Sequence, residues 1–447
     1  MKIITLSKFF QNEIFPFLLL LSFFLSFGFG SLIINIILSL IIIYLVFNIS
    51  SIEIDILDKV LIIFGIYLAI NSFLNTNYYL SNILFTKFLF LTLSMKVILR
   101  KISENYLKKF FQICTFFLIF LIFDIFYQKT FEVDIFGVAL PELGGRLSGP
   151  FEKLIPGTII LYLGFYFFLY FYLNFLDDHS IVKKITSLVI LCIFAVSILI
   201  TGERMNFISL FLGIFLIIFF IDKKKLHLTF TVISFLLCVV VITNDKNLFS
   251  RYESFILLLK PKLNNKYFNQ KEIDVYKQEK NNSNINTQVK LSFLDTTWGA
   301  HYSSAFQLFK NKPLFGNGIK SFRDLCKDVE IRSFKKDVRC STHPHNIHLE
   351  LLSETGLMGY FIFLTLIIFV FFEGIKMINK KKYYNKKTLF ILFIASFILC
   401  MTLLFPIKSS GRLSSTFFGS IFWLNFSILY SSIYIMKKNH NKNIKNL

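Results

Sequence analysis

Ser341-Thr-His-Pro-His-Asn-Ile-His-Leu-Glu-Leu-Leu-Ser-Glu-Thr-Gly-Leu-Met-Gly-Tyr360 is the point where a long polar stretch turns into an apolar helix. The run then continues to Phe372 with hardly a polar side chain, long enough to cross a bilayer. Three of the chain's seven histidines, His343, His345 and His348, fall within six residues there. Imidazole takes or gives a proton near neutral pH, so a cluster at a membrane boundary points to a reaction centre. Thr342 or His343 is placed to cap the helix, and Pro344 suits its first turn. The free N–H groups and positive dipole end of such a terminus favour an anion. His345 and His348 are three apart and share a helical face; Glu350 and Glu354 share another. Gly356 and Gly359 read as positions of close helix packing. A purely structural role for the histidines is the bland alternative. A metal site is a third, although His-x-His-x-x-His is not a standard zinc spacing.

Working outward, the chain of 447 residues is 55% hydrophobic and 18% aromatic. Apolar runs of about 17–23 residues recur along it, which makes it an all-α integral membrane protein. The pattern predicts about twelve transmembrane helices, over 15–28, 31–48, 57–74, 82–99, 107–127, 154–175, 185–200, 205–221, 226–243, 348–372, 388–405 and 415–435. The expected organisation is an N-terminal membrane bundle (1–243), a large partly helical loop (244–347) between helices 9 and 10, a three-helix C-terminal membrane part (348–436) and a basic tail (437–447).

The net charge of +21 does not imply nucleic acid. No nucleic-acid module is visible, and lysines in short loops beside spans follow from the positive-inside bias and anionic membrane lipids. Arg100, Lys101, Lys108, Lys109, Lys183, Lys184, Lys223–Lys225, Lys376, Lys380–Lys382, Lys386, Lys387, Lys437 and Lys438 all fall on one side. That side reads as cytoplasmic and holds both termini. The other side receives 128–153 and 244–347. In the latter, Asn264–Lys290 has a disorder-like composition, and aromatic residues return from Trp298 onward.

The arginines run against this bias. Seven of eight map to the external side: Arg146, Arg204, Arg251, Arg323, Arg332, Arg339 and Arg412. Arg204 lies in a tight turn, Thr201-Gly-Glu-Arg204, between two apolar helices. A guanidinium at such a boundary needs water or an anion, and its planar fork grips phosphate by two hydrogen bonds. Arg146 follows Gly144-Gly145, where backbone can approach a ligand closely. Arg412 follows Ser409-Ser-Gly411. Together they suggest an external anion site at membrane level, for which a lipid-linked phosphate is the natural occupant. The bland alternatives are a salt bridge from Arg204 to Glu203 and snorkelling to headgroups.

With these residues in view, the chain resembles the O-antigen ligase and polymerase superfamily. The resemblance rests on His343-Pro-His345-Asn346 followed by Leu349, Leu352, Glu354, Gly356 and Gly359, and on Ala305-Phe306, Pro313, Gly316, Gly318 and Phe322. Thr201-Gly-Glu-Arg204 is similar to the family's Thr-Gly-Ser-Arg turn. The likeness covers roughly Arg146 to Gly419; the first 130 residues match only as generic spans. It implies an inverting glycosyltransferase of the bacterial inner membrane that needs neither metal nor cofactor, with its site facing the periplasm. It also implies a glycan donor on undecaprenyl pyrophosphate and a lipid A–core acceptor. The alternatives within the superfamily are a repeat-unit polymerase and a protein O-oligosaccharyltransferase. By position, Arg204 would bind donor pyrophosphate, His345 would activate the acceptor hydroxyl with His343 beside it, and Asn346 would orient that hydroxyl. Arg146, His301, Arg323 and Arg412 complete the expected donor site. The family's arginine ahead of the Ala-aromatic helix is missing from Thr297-Trp298-Gly299-Ala300-His301, so His301, Arg251 or Arg323 is expected in its place.

Cys326 and Cys340 both fall on the external side and are expected to pair. A closed loop of about 15 residues stabilises by roughly 3 kcal/mol in the chain-entropy model. The reading of a different class is a transporter or flippase for a lipid-linked anion. That would place charge deep within spans, where Asp124 and Lys87 are the main residues to consider.

Overall fold

The computed structural model describes residues 12–140, 146–151, 156–258, 296–331, 339–378 and 387–445. The Asn264–Lys290 stretch, Gly144, Gly145, Arg332, Lys380–Lys382 and Lys386 lie outside them. The fold is helical; among the described residues β pairing is limited to a bridge between Val133 and Ala139.

Among the described residues, seven helices are long and apolar enough to cross a bilayer: Ile56–Leu74, Thr76–Lys101, Glu104–Phe131, Ile181–Ile200, Lys224–Asn244, Ile347–Ile378 and Thr416–Asn441. Five shorter apolar helices accompany them: Ile14–Ser26, Ser31–Phe47, Gly164–Leu176, Arg204–Phe219 and Lys387–Leu403. The apolar segments expected from the sequence therefore divide into two classes. A 13-residue helix such as Gly164–Leu176 covers roughly 20 Å, short of a hydrocarbon core of about 30 Å. A break at Leu163 separates it from Gly157–Tyr162, which continues the path.

The outer surface is apolar, with Phe73, Phe116 and Ile181 among many large exposed side chains. Lipid tails solvate such a surface as well as a protein core does, so helix association depends on packing and internal hydrogen bonds. The Thr416–Lys445 helix forms the centre. Its apolar stretch is wholly enclosed and packs on Lys87–Lys101, Lys387–Leu403, Ile347–Ile378 and Ser31–Phe47. Trp423 anchors an aromatic stack there, with Phe88 parallel to it and Phe85, Phe363 and Phe426 meeting it edge-on.

The helix that follows the histidines is broken at Gly356 (φ 66°), a left-handed position that suits glycine. Such a break strands the carbonyls of Ser353 and Glu354 and the N–H groups of Leu357 and Met358. The Pro313–Gly318 turn supplies all four partners. Asn317 and Gly318 donate to Ser353 and Glu354 (3.1 and 2.8 Å), and Leu357 and Met358 donate to Pro313 and Leu314 (2.8 and 3.1 Å). The Ile56–Leu74 helix closes the joint: Tyr67 donates to the Thr355 carbonyl, and Asn71 donates to Phe315 at 2.5 Å. The backbone at Gly316 presses on Gly356; a Cβ at Gly356 would meet the Leu314 carbonyl oxygen at 2.4 Å. Gly356 is therefore a kink filled by a second chain segment, which corrects its expected role as a helix-packing position. Gly359 does lie against Tyr67 of the neighbouring helix.

Candidate functional site

The histidine turn precedes the helix instead of starting it. His345 adopts left-handed backbone (φ 58°), and the helix begins only at Ile347. Asn346 caps it: its Oδ1 accepts from the Leu349 N–H at 3.0 Å, the geometry of an N-cap. This corrects the cap expected at Thr342 or His343, and it removes His345 from any face shared with His348. His348 instead bonds the Tyr360 hydroxyl (3.1 Å) and the Leu404 carbonyl (2.9 Å). The Asn346 amide also donates from Nδ2 to the Pro406 carbonyl at 2.6 Å. Its placement is that of a brace for the turn, with both ends of the amide engaged.

His343 is a brace as well. It is buried, Nε2 donates to the Ser410 carbonyl at 3.0 Å, and Nδ1 accepts from the Thr342 hydroxyl at 2.9 Å. The carbonyl can only accept, which fixes the proton on Nε2. Burial, then the neighbouring His345, push its pKa down to about 3. His345 occupies the middle of the group. Its ring lies 4.1 Å from that of His343, 5.3 Å from His301 and 4.7 Å from Trp298, and Nε2 is 3.1 Å from the Ser341 hydroxyl. Burial, followed by His301, lowers its pKa to about 4, so the imidazole is neutral and able to accept a proton at physiological pH.

The disulfide between Cys326 and Cys340 ties this segment to the Thr297–Asn311 helix region, with Cα atoms 5.4 Å apart. Cys326 packs with Ala305, Leu308 and Phe322 in a small separate core. His301 donates from Nδ1 to the Arg339 carbonyl at 3.0 Å.

The second group forms around the Thr201–Arg204 turn. Gly202 has φ 76°, and a Cβ there would meet Arg251 Nε at 3.2 Å and Arg146 Cγ at 3.4 Å. Two arginines thus rest on the bare glycine. Arg204 Nη1 donates to the Arg251 carbonyl (3.1 Å), and Arg251 Nη2 donates to the Gly202 carbonyl (3.3 Å). Arg146 Nε is buried without a hydrogen-bond partner. Burial and the like charges of Arg146 and Arg204 lower the pKa of Arg251. Glu203 turns to Asn206 (2.9 Å) and Thr158 (3.3 Å). Burial raises its pKa; Asn206, then Lys408 and Arg146, oppose that.

Among the expected donor residues, Arg204 and Arg146 come together, and Arg251 joins them. His301 lies with the histidines. Arg323 is exposed and faces Asp324 at 3.7 Å. Arg412 lies elsewhere, with Nε and Nη2 buried and unpartnered. Its charge reaches His343, Glu350, Glu354 and Lys320.

One loop touches both groups. Between Leu404 and Ser415, Ser410 donates its N–H to the His345 carbonyl (2.9 Å), and its carbonyl receives His343. Two residues earlier, Lys408 donates to Asn206 (3.3 Å), Ser209 (3.2 Å) and Tyr162. Glu350, fully buried, accepts from the N–H groups of Leu413 (3.0 Å) and Ser414 (3.4 Å). The sequence reading singled out Arg412 in this loop but missed Lys408. The one local signal was a second cation four residues before Arg412.

Residues 188–364 match the family model described as O-antigen ligase. Over that segment the chain is similar to the O-antigen ligase and polymerase superfamily. No curated protein matches it. The matched O-antigen ligase segment contains Arg204, Arg251, Trp298, His301, His343 and His345, whereas Arg146, Lys408 and Arg412 come from outside it. Members of this superfamily are membrane enzymes of the glycosyltransferase kind, which fits a multi-pass helical chain with an arginine group and a histidine turn joined by one loop.

Proposed function

We propose that the protein transfers a glycan from undecaprenyl pyrophosphate to a sugar hydroxyl of lipid A–core, with inversion and without a metal. The observation that carries the reading is the tether between Arg146, Arg204 and Arg251 on one side and His345 on the other, through Lys408 and Ser410. The guanidinium forks suit a pyrophosphate whose charge grows as it leaves. The acceptor oxygen attacks the anomeric carbon as the bond from that carbon to the pyrophosphate oxygen breaks. Neutral His345 takes the hydroxyl proton, and undecaprenyl pyrophosphate departs with the electron pair. His343, Asn346 and His301 hold the imidazole in place. The reading puts both termini in the cytoplasm and the site at the periplasmic face of the inner membrane, because the short lysine-rich loops lie at the opposite end.

Deleting the gene and analysing cell-surface glycans tests this. The expected result is lipopolysaccharide without long-chain glycan while lipid-linked polymer accumulates. A core capped by a single repeat unit would mean a polymerase instead, and unchanged surface glycans would overturn the proposal.

A further inference from the structure

Lys408 is almost completely enclosed, with 3% of its surface exposed. A buried ammonium is costly unless its three donors are met. Here they are met by Tyr162, Asn206 and Ser209, side chains of three different positions on two neighbouring helices. Asn206 is itself held by Glu203 and Thr158, so the ammonium is anchored to the turn that carries Arg204. The same loop carries the Pro406 and Ser410 contacts to Asn346, His343 and His345. Only Lys408 joins this loop to the arginine turn through a charged side chain among the described contacts. Cutting it leaves the histidine turn fastened to a loop that is no longer fixed to the arginines.

We infer that Lys408 is a positioning residue for glycosyl transfer, setting the distance between the anion held by Arg204 and the imidazole of His345 by locking the Pro406–Arg412 loop to the Thr201–Asn206 turn. This rests on the transfer reading above. It adds a residue outside the matched family segment that touches neither donor nor acceptor. A misplacement of about 1 Å between reacting groups costs on the order of a hundredfold in rate. Burial, against the pull of Glu203, lowers the Lys408 pKa to about 7. Its charge, and with it the lock, weakens as pH rises through that value.

The test compares wild type, Lys408→Met and Lys408→Arg in lipid nanodiscs, with an undecaprenyl-pyrophosphate glycan as donor. Each variant is first checked for a wild-type melting transition. Hydrogen–deuterium exchange is then followed over peptides covering 343–347 and 404–412. Lys408→Met is expected to lower turnover at saturating donor by about a hundredfold, with donor KM changed less than about threefold. It should also speed exchange in both peptides. Lys408→Arg should regain part of the turnover and should lose the decline near pH 7 that is expected of wild type. A folded Lys408→Met protein with wild-type turnover overturns the inference, as does a loss confined to donor KM. Unchanged exchange at 343–347 overturns it too, and that arm needs no activity. Wild-type protein that transfers nothing would refute the transfer reading, leaving exchange to decide the coupling. Should Lys408→Met fail to fold, Lys408→Arg and Asn206→Ala carry the same comparison, and wild-type turnover and exchange in both would overturn the inference.

Discussion

The two ends of the membrane bundle treat buried charge in opposite ways. At the lysine-rich end, Asp58 caps its own helix in a reciprocal box with Asp55, accepts from Tyr430 and pairs with Lys96 at 2.6 Å. Lys96 also donates to the Glu53 carbonyl at 2.8 Å and stacks over Tyr434 at 3.9 Å. Lys96, Asp55 and Asp58 thus all meet charge of opposite sign within the protein. At the other end, three arginines crowd around one turn, with the buried acid Glu203 beside them. Arg146 and Arg251 share one glycine, Arg204 donates to the Arg251 carbonyl, and buried nitrogens of Arg146 and Arg412 have no hydrogen-bond partner. A closed network holds helices together, whereas excess positive charge at a boundary is costly unless an anion comes to it. On the proposed reading, the first is a structural ion pair and the second a binding site.

The sharpest way to break this contrast is at the closed end. Lys96→Met should leave Asp58 as an unpaired buried carboxylate and cost about 3–5 kcal/mol of stability. Thermal melts in detergent measure this, and the protein that remains folded should transfer glycan normally. Lost transfer without lost stability would erase the distinction between the ends. At the open end, Arg204→Ala should raise donor KM about 10–100-fold, equivalent to roughly 1.4–2.7 kcal/mol. Arg204→Lys should recover only part, because an ammonium cannot form the two-pronged contact. Stability should hardly change, and a large drop in melting temperature would make Arg204 structural instead.

The pH dependence gives a third test. His343 and His345 have folded pKa values of about 3 and about 4, below the ordinary 6.5. The unfolded chain therefore binds more protons between those values, and stability should fall as pH drops from about 6.5 toward 3. For the same reason the acid limb of the rate profile should lie near pH 4. A limb at the usual histidine value would show that His345 is not enclosed as described.

Much of the open end was legible in the sequence because its residues are crowded together. His343, His345 and Asn346 announce themselves by density, and Arg204 by its place in a short turn between apolar helices. Helical periodicity located the apolar segments, but it could not tell a full span from a short helix resting on a neighbour. What stayed hidden depends on partners far away along the chain. Asn346 meets Pro406, Lys408 meets Tyr162, and Glu350 meets Leu413. Such contacts leave no local pattern. The kink shows the same limit: Gly356 reads as a packing glycine until the Pro313–Gly318 turn is seen to fill its broken hydrogen bonds.

The central claim is most directly tested by a single-turnover assay on purified wild-type and His345→Ala protein in nanodiscs, with glycan supplied on undecaprenyl pyrophosphate and donor binding measured in parallel. The account predicts that wild type transfers the glycan, while His345→Ala binds donor equally well and transfers it about a thousandfold more slowly. Transfer by His345→Ala at the wild-type rate would contradict it.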